Sequence, residues 1–375
     1  MFERAGAILI KEFKQIFRDP RMKTIIFVSP LIQIILFGYA ANKDITYVPT
    51  AIYDRDNTAL SRELVRRFTY SKYFVPERYI YDDRQQNLSL DKGKASVVIR
   101  IDRGFGRDLN AGKDAAVQLA FDGTDSNTAM VVMGYANTVA SKFQQDLLRQ
   151  ELAARGILKE IPQVDLRDRA WFNGNLVSRN YYLPGVIATI VTMMSLLLTA
   201  MAIVKEKEIG TMEQLTVSPL MPIELIIGKL LPFGVIALIQ ITLITLLGVL
   251  WFHIPLRGNI LLLLFSTSIY LFTTLGIGLF ISTISSTQQE AMMSVFLFYM
   301  PTVLLSGFAY PIANMPKLIQ WFTLINPLRY FLVVIRGIFL KGVGLDILWV
   351  QLAPLVLMGF IIISLSALKF RKSLA

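Results

Sequence analysis

Uncharged stretches of about 20 residues constrain this chain more than any other feature. A helix that rises about 1.5 Å per residue crosses the roughly 30 Å hydrocarbon core of a membrane in that length. The composition is 54% hydrophobic and only 17% charged, which agrees with burial in lipid. The sequence therefore predicts a polytopic α-helical membrane protein with six transmembrane helices, at residues 22–41, 186–204, 233–252, 260–283, 291–309 and 347–368.

Residues 1–21 have the pattern of an amphipathic helix. Phe2, Gly6, Leu9 and Phe13 share one helical face, and basic side chains lie mostly elsewhere. This pattern predicts a cytoplasmic helix that lies at the membrane interface and ends at Pro20. A signal peptide with cleavage near GYAA is the alternative interpretation.

Residues 42–180 contain charges of both signs and no window that could cross a bilayer. The runs VPTAIYD, ASVVIRID and AAVQLAFDG are typical of strands, and they alternate with helical patterns. A long helix is expected over 125–154, followed by a last strand at VDLRDRAWF. The alternation predicts one extracytoplasmic α/β domain.

The charges at the two ends of the chain favour a topology with both termini in the cytoplasm. That topology puts residues 42–180 outside and the elbow at 205–231 inside, within the membrane domain at 181–375. The segment 310–345 is apolar but interrupted by prolines, so we expect re-entrant helices on the outer side. A seventh span over Leu328–Leu340 is the alternative.

Several function classes find no support in the sequence. It contains no GxxxxGK[ST] loop for nucleotide phosphates, no GxSxG motif, no cysteine, and a single histidine, His253. The net charge of +11 is dispersed or lies beside apolar segments, which favours contact with membrane lipid over nucleic-acid binding. The expected spans also lack the buried carboxylates that gradient-driven carriers use. We therefore expect no catalytic, cofactor or metal site in this chain, and an energy source in a partner protein.

Two segments resemble a known family. KEKEIGTMEQLTVSPLMPIELIIGKLLP, at 205–232, is similar to the signature of the type II ATP-binding-cassette (ABC) exporter permeases. LLSGFAYPIANMPKLIQWFTLINPLRYFLVVIRGIFLKG, at 304–342, resembles the segment that follows the fifth span in that family, and KEFKQIFRDP resembles its N-terminal amphipathic helix. The two long segments have the spacing of the family, and they point to its drug-efflux-like members with a large external domain.

The resemblance implies that the elbow is a coupling helix that docks on a cytosolic ABC ATPase, which holds ATP and Mg. A charged rim around a small apolar face suits such docking; an ordinary solvated loop is the alternative. The implied coupling residues are Glu206, Glu208, Gly210, Thr211, Met212, Glu213 and Leu215.

The resemblance also implies a second permease subunit, identical or homologous, with a substrate pathway between the second and fifth spans. The candidate pathway residues are Thr189, Thr192, Met193, Leu196, Met293, Phe296, Leu297, Met300 and Thr302. The candidate residues of the re-entrant gate are Gly307, Pro311, Pro316, Pro327, Arg329 and Arg336. Helix packing is the alternative role for the first set, and interfacial anchoring for the two arginines.

The implied function is ATP-driven export of a hydrophobic or amphipathic substrate, drug-like or lipid-like, across a bacterial inner membrane by alternating access. Membrane lipid is an expected partner, and a periplasmic adaptor is a further candidate. The alternatives are an exporter of sodium, peptide or glycan, and a non-transporting receptor with an external ligand-binding domain.

Overall fold

The computed structural model describes residues 2–41, 45, 47–154, 171–174, 177–210 and 222–374. The chain forms two compact units, one from Met1–Lys43 with Asp168–Ala375 and one from Asp44–Arg167. The first unit is helical and the second contains the only sheet within the described ranges.

The helical unit begins with α1 (Phe2–Arg18), which ends just before Pro20 as expected. A nearly continuous helical stretch follows, made of α2 (Pro20–Lys23), a π-helical turn (Thr24–Val28) and α3 (Ser29–Ala40). The remaining helices are α8 (Ser178–Ile209), α9 (Pro222–Leu250), α10 (Ile260–Ile284), α11 (Gln288–Leu304), α12 (Lys317–Phe322), α13 (Pro327–Arg336) and α14 (Leu345–Leu374).

Four helical segments are long and apolar enough to cross a membrane: Ser178–Ile209, Ile226–Leu250, Ile260–Ile284 and Leu345–Lys369. A bent pair, Lys317–Ile325 with Pro327–Lys341, raises the count to five if it is one span. The two other expected spans contain shorter helices, Thr24–Ala40 and α11, of 17 residues each. At about 1.5 Å per residue these reach about 25 Å, so length alone does not give the expected count of six.

Helix α8 lies at the centre of this unit. It packs against α3, α9, α10, α11 and α13. In its most apolar window 78% of the residues are buried, against 22% for α14. The helix extends beyond the expected 186–204 in both directions, because polar residues continue it past the apolar part, and it ends at Gly210, whose left-handed conformation (φ +78°) breaks the helix.

The segment after α11 contains the breaks that its prolines predict. Gly307 has φ +85°, Pro316 precedes α12, and Pro327 is the first residue of α13. The helical pair on either side of Asn326 is bent by 84°. The Asn326 side chain caps α13 by accepting the Leu328 N–H at 3.0 Å, and it donates to the Thr302 carbonyl at 2.7 Å.

The second unit confirms the α/β expectation. Its elements are β1 (Val48–Asp54), α4 (Ala59–Tyr70), β2 (Phe74–Tyr79), α5 (Asp83–Asp91), β3 (Val97–Ile101), α6 (Phe105–Asn110), β4 (Val117–Phe121) and α7 (Ser126–Ala154). The sheet order is β2-β1-β3-β4; β1 is parallel to β2 and to β3, and β4 is antiparallel to β3.

The sequence patterns missed β2 and α5, because β2 is a largely exposed edge strand with a proline and α5 has few apolar residues. In α7, Val132, Ala136 and Phe143 are buried, whereas Met130 and Met133 are exposed. Of the strand expected at VDLRDRAWF, only Trp171 and Phe172 are described, and they are not in a strand.

Candidate functional site

The last turn of α8 joins several helices through charged side chains. Glu206 is buried, with 6% of its surface exposed. One carboxylate oxygen accepts a bond from Lys11 of α1 at 2.8 Å, and the other pairs with Lys229 of α9, which is itself only 3% exposed. Glu206 therefore connects α1, α8 and α9 inside the chain, instead of lying on a solvent-facing rim as expected.

The two residues that follow Glu206 contact the other side of the bundle. The Lys207 ammonium donates to the Ser282 carbonyl at 2.7 Å, at the C-terminal end of α10, where the helix dipole favours a cation. Glu208 is exposed and accepts a bond from Gln288, the first residue of α11. We call Glu206, Lys207 and Glu208 with these partners the α8 junction.

The α8 junction lies immediately before the expected coupling segment. Gly210 is exposed and ends α8, so the chain can change direction there. Thr211, Met212, Glu213 and Leu215 lie outside the described residues.

Sequence reasoning did not identify the charged partners in this region. Besides Lys11 and Lys229, the buried carboxylates Glu12 and Glu224 occur in α1 and α9. The signal that could have found them is the position of Lys229, Glu12 and Glu224 on helices that also carry apolar faces. Charged side chains on such helices are buried mainly when they are paired, so these residues could have been expected to form ion pairs. Within the described ranges no group of three or more His, Asp or Glu side chains could hold a metal ion.

The expected pathway residues divide into two groups. On α8, Thr189, Thr192 and Leu196 are buried inside the protomer, and the Thr192 hydroxyl lies 2.6 Å from the Tyr270 hydroxyl of α10. Met193 is half-buried. The structure therefore places this face of α8 in helix packing, because α10 and α11 cover it.

The α11 residues have the opposite environment. Thr302 is buried and donates to the Phe298 carbonyl within its own helix. The other four expected residues are exposed and form an apolar surface that we call the α11 face: Met293, Phe296, Leu297 and Met300.

An apolar groove of about 550 Å³ runs beside the α11 face, between α10, α11, α14 and the bend at Asn326. Its lining includes Leu297, which sequence reasoning selected, but also residues of α10 and α14 that it did not select. These are Ile277, Phe280, Ile281, Ile284, Ile362 and Leu365, with Ile325 and Pro327 from the bend. Helices that are apolar on all sides give no pattern from which such residues could be chosen.

The expected gate residues lie in and next to the bent pair. Arg329 donates to the Thr323 hydroxyl within the bend. Arg336, at the end of α13, donates to the Gly307 carbonyl at 3.4 Å and lies 4.0 Å from the centre of the Tyr181 ring. Pro311 begins the short turn Ile312–Asn314. The structure thus brings Gly307 and Arg336, the first and last of the candidate gate residues, next to each other.

The chain is similar in sequence to known transporter proteins. The sequence profile of a family described as ABC-2 family transporter protein matches residues 23–368. The chain is 36% identical over 355 residues, 95% of each protein, to the "Probable multidrug ABC transporter permease YbhR" of Escherichia coli K12. It is 30% identical to the "Inner membrane transport permease YhhJ" of the same organism, over 97% of this chain and 96% of that protein. It is 24% identical to the "Linearmycin resistance permease protein LnrN" of Bacillus subtilis, over 82% and 84%.

Proposed function

The chain belongs to the ABC-2 family of transporter proteins, and we propose that it is the permease subunit of an ATP-driven exporter of hydrophobic or amphipathic molecules. The substrates would leave the cytoplasm or the inner leaflet by alternating access. The names of the relatives support this proposal, since they refer to multidrug transport and to linearmycin resistance. The apolar groove and the exposed α11 face support an apolar cargo.

The α8 junction is the observation that carries the proposal. A separate ATPase, which binds ATP and Mg, would push on the segment that follows Gly210. Because Glu206, Lys207 and Glu208 bind α1, α9, α10 and α11, a displacement of this segment would move these helices together with α8. Rigid-body motion of this kind can turn an inward-facing cavity outward.

We also propose that two permease subunits form the pathway, with the α11 face at their interface. Its four apolar residues are between 42% and 78% exposed in the described part of the chain. A second copy would cover them, as expected for a two-fold symmetric assembly. The buried threonines of α8 would then support α11 from behind, and the cargo would contact α11 first.

For the topology we propose six spans in a bacterial inner membrane, with both termini in the cytoplasm, the α/β unit outside, and a re-entrant pair at the outer side. The bond from Arg336 to Gly307 supports the re-entrant arrangement, because it joins the chain before the bent pair to the second helix of that pair. Ile325 and Pro327, at the bend, line the groove together with Ile277 and Leu297. The bend therefore penetrates between helices while Gly307 and Arg336 stay together.

The test is to isolate the chain from cells together with the ABC ATPase that binds it, reconstitute the complex, and measure ATP turnover and export together. Replacing Glu208 by Gln with Gly210 by Val should uncouple the two, since the valine is strained at φ +78°. Asp91→Asn, on the exposed end of α5, is the matched control and should change neither. Normal export by the double variant would contradict the coupling role. Failure to bind any ATPase would favour a receptor instead.

The absence of cysteine in the natural sequence allows a second test. Leu297→Cys, on the exposed side of α11, should give a disulfide-linked dimer under oxidation. Leu357→Cys is the control, because this exposed apolar residue lies on α14, outside the proposed interface. Cross-linking at Leu357 and not at Leu297 would assign the dimer interface to α14.

A further inference from the structure

Arg336 has a guanidinium group that the described chain leaves largely unpaired. Its Nε and Nη2 atoms are shielded from solvent and have no hydrogen-bond partner. The remaining nitrogen, Nη1, makes one long bond of 3.4 Å to the Gly307 carbonyl. Among the described residues no carboxylate forms an ion pair with Arg336. A buried cation without a counter-ion is costly, so this arrangement calls for an explanation.

The identity of the two unpaired atoms indicates what they could bind. Nε and Nη2 form one edge of the planar guanidinium, and their N–H groups point in parallel. This edge matches the two oxygens of a carboxylate or of a phosphate group, which arginine binds through two parallel hydrogen bonds. The unpaired atoms are therefore a complete bidentate anion site.

Arg329, the other arginine of the same segment, differs from Arg336 in its hydrogen bonding. Its Nη1 atom donates to the Thr323 hydroxyl, and no nitrogen of Arg329 is both buried and unpaired. Arg329 is therefore satisfied by its own bend, whereas Arg336 is not. The two residues form a matched pair for experiments.

The surroundings of Arg336 would accept the apolar part of an anionic molecule. The Tyr181 ring lies on one side at 4.0 Å. Gly185 lets the Phe308 ring approach α8 closely, since a Cβ there would lie 2.7 Å from that ring, and the Nη2 atom of Arg336 lies 3.4 Å from the same position. Phe308 is half-buried in the non-helical segment after α11, so its displacement would open the site.

We propose that Arg336 binds the carboxylate or phosphate group of an amphipathic molecule at the outer end of the helical unit, once Phe308 has moved aside. The assignment of this end as the outer one rests on the proposed function. In the closed form Phe308 stays in place and the Arg336 charge is unpaired, whereas in the open form Phe308 has moved and an anion can bind. An anion that binds only the open form would shift the equilibrium toward that form. The anionic group belongs either to an exported molecule or to an outer-leaflet phospholipid.

The first test compares thermal unfolding of the full chain in nanodiscs of digalactosyldiacylglycerol, a neutral lipid whose headgroup contains neither phosphate nor carboxylate. Arg336→Met removes the unpaired charge but keeps an apolar side chain of similar length, so its melting temperature should equal or exceed that of the natural protein. A dansyl-labelled long-chain fatty acid should raise the melting temperature of the natural protein and of Arg329→Met, but not of Arg336→Met. A marked loss of stability in ligand-free Arg336→Met would show a structural role and overturn the proposal.

The second test measures binding of the dansyl fatty acid and of its methyl ester by fluorescence. The natural protein should bind the carboxylate at least about tenfold more tightly than the ester, because only the carboxylate forms the charged bonds. Arg336→Gln should remove this preference, Arg336→Lys should retain part of it, and Arg329→Gln should leave it intact. Equal binding of acid and ester by the natural protein would overturn the proposal.

Two further arms identify the source of the anion. Phosphatidylglycerol added to the nanodiscs should displace the fatty acid if the site takes a lipid headgroup. If it takes a substrate, Arg336→Gln should reduce ATP-driven export of the fatty acid while export of the ester continues. Binding in nanodiscs needs no ATP, so a chain that binds the anion but does not export would contradict the proposed function and leave the Arg336 site standing.

Discussion

Replacing Lys229 by Met should destabilise the protein strongly, and the α8 junction gives the expected size. The change leaves the carboxylate of Glu206, only 6% exposed, with Lys11 as its remaining partner in the junction. Removing one member of a buried ion pair costs about 3–5 kcal/mol of the free energy of unfolding when the other charge is left uncompensated, and the contact with Lys11 places this variant at the lower end of that range. We therefore expect a loss of about 3 kcal/mol or more.

Lys11→Met is the matched control, because it removes the other cation that pairs with the same carboxylate. The Lys11 side chain is 52% exposed and lies 2.8 Å from Glu206. At that separation the attraction is about 6 kcal/mol for an effective dielectric constant of about 20, and about 1.5 kcal/mol in water. Solvent screening and loss of side-chain freedom place the net contribution of so exposed a group near about 1 kcal/mol.

Unfolding in detergent micelles, followed by circular dichroism, measures both losses. The double variant Glu206→Gln/Lys229→Met should lose less than the sum of the two single variants, since it leaves neither charge of the pair behind. Equal losses for Lys229→Met and Lys11→Met, or strictly additive losses in the double variant, would refute the reasoning. In the reconstituted complex, Lys229→Met at a temperature where it stays folded should also lower export per ATP hydrolysed.

Three further changes test other parts of the fold. Asn326→Ala removes the α13 cap and the bond to the Thr302 carbonyl, so thermal unfolding should show a loss of about 2 kcal/mol; an unchanged midpoint would contradict this. Gly258→Ala places a Cβ 2.8 Å from the Ile338 carbonyl oxygen and should cost about 1–3 kcal/mol by the same measurement, whereas a neutral effect would mean that this contact yields easily. Burial opposes ionisation of Asp56, but bonds from a hydroxyl and backbone N–H groups outweigh it and lower its pKa. The stabilisation that ionised Asp56 provides is therefore present above a pH of about 4 and disappears as the pH falls through the lowered pKa. Asp56→Asn should be less stable than the natural protein at neutral pH and approach its stability in acid. A constant difference in stability across the pH range would exclude this origin.

The sequence predicted those parts of the fold that depend on local composition. Uncharged windows located the four long apolar helices, and the prolines from 311 to 327 predicted the broken segment. Strands with alternating or continuous apolar residues were identified, while β2 was missed because an exposed edge strand has no buried face to produce such a pattern. The count of six spans depends on how helices of 17 residues sit in lipid, which composition alone does not determine.

The site was less predictable because its contacts join distant parts of the chain. Glu206 stands in a polar elbow, where a solvent-facing rim is the natural expectation, and its partner Lys11 comes 195 positions earlier. Thr192 and Leu297 occur on helices whose apolar residues surround the whole circumference, so periodicity could not show that one is buried and the other exposed. Only the packing of α11 against α8 decides which of the two a cargo can reach.

The same packing favours α8 over α11 as the helix that would transmit movement across the membrane in the proposed exporter. A helix of 32 residues is about 48 Å long, so its last turn lies in the α8 junction while its first turn contacts Arg336 through Tyr181. Transmission needs a rigid element that is held at both ends, and α8 is bound by ion pairs at one end and by a cation–aromatic contact at the other. Helix α11 has neither the length nor the enclosure, since four apolar side chains on one side are exposed. In the proposed exporter, binding of the ATPase would displace Glu206 and thereby change the affinity of Arg336 for an anion. By the reciprocity of linked equilibria, an anion bound at Arg336 would change the affinity for the ATPase by the same factor.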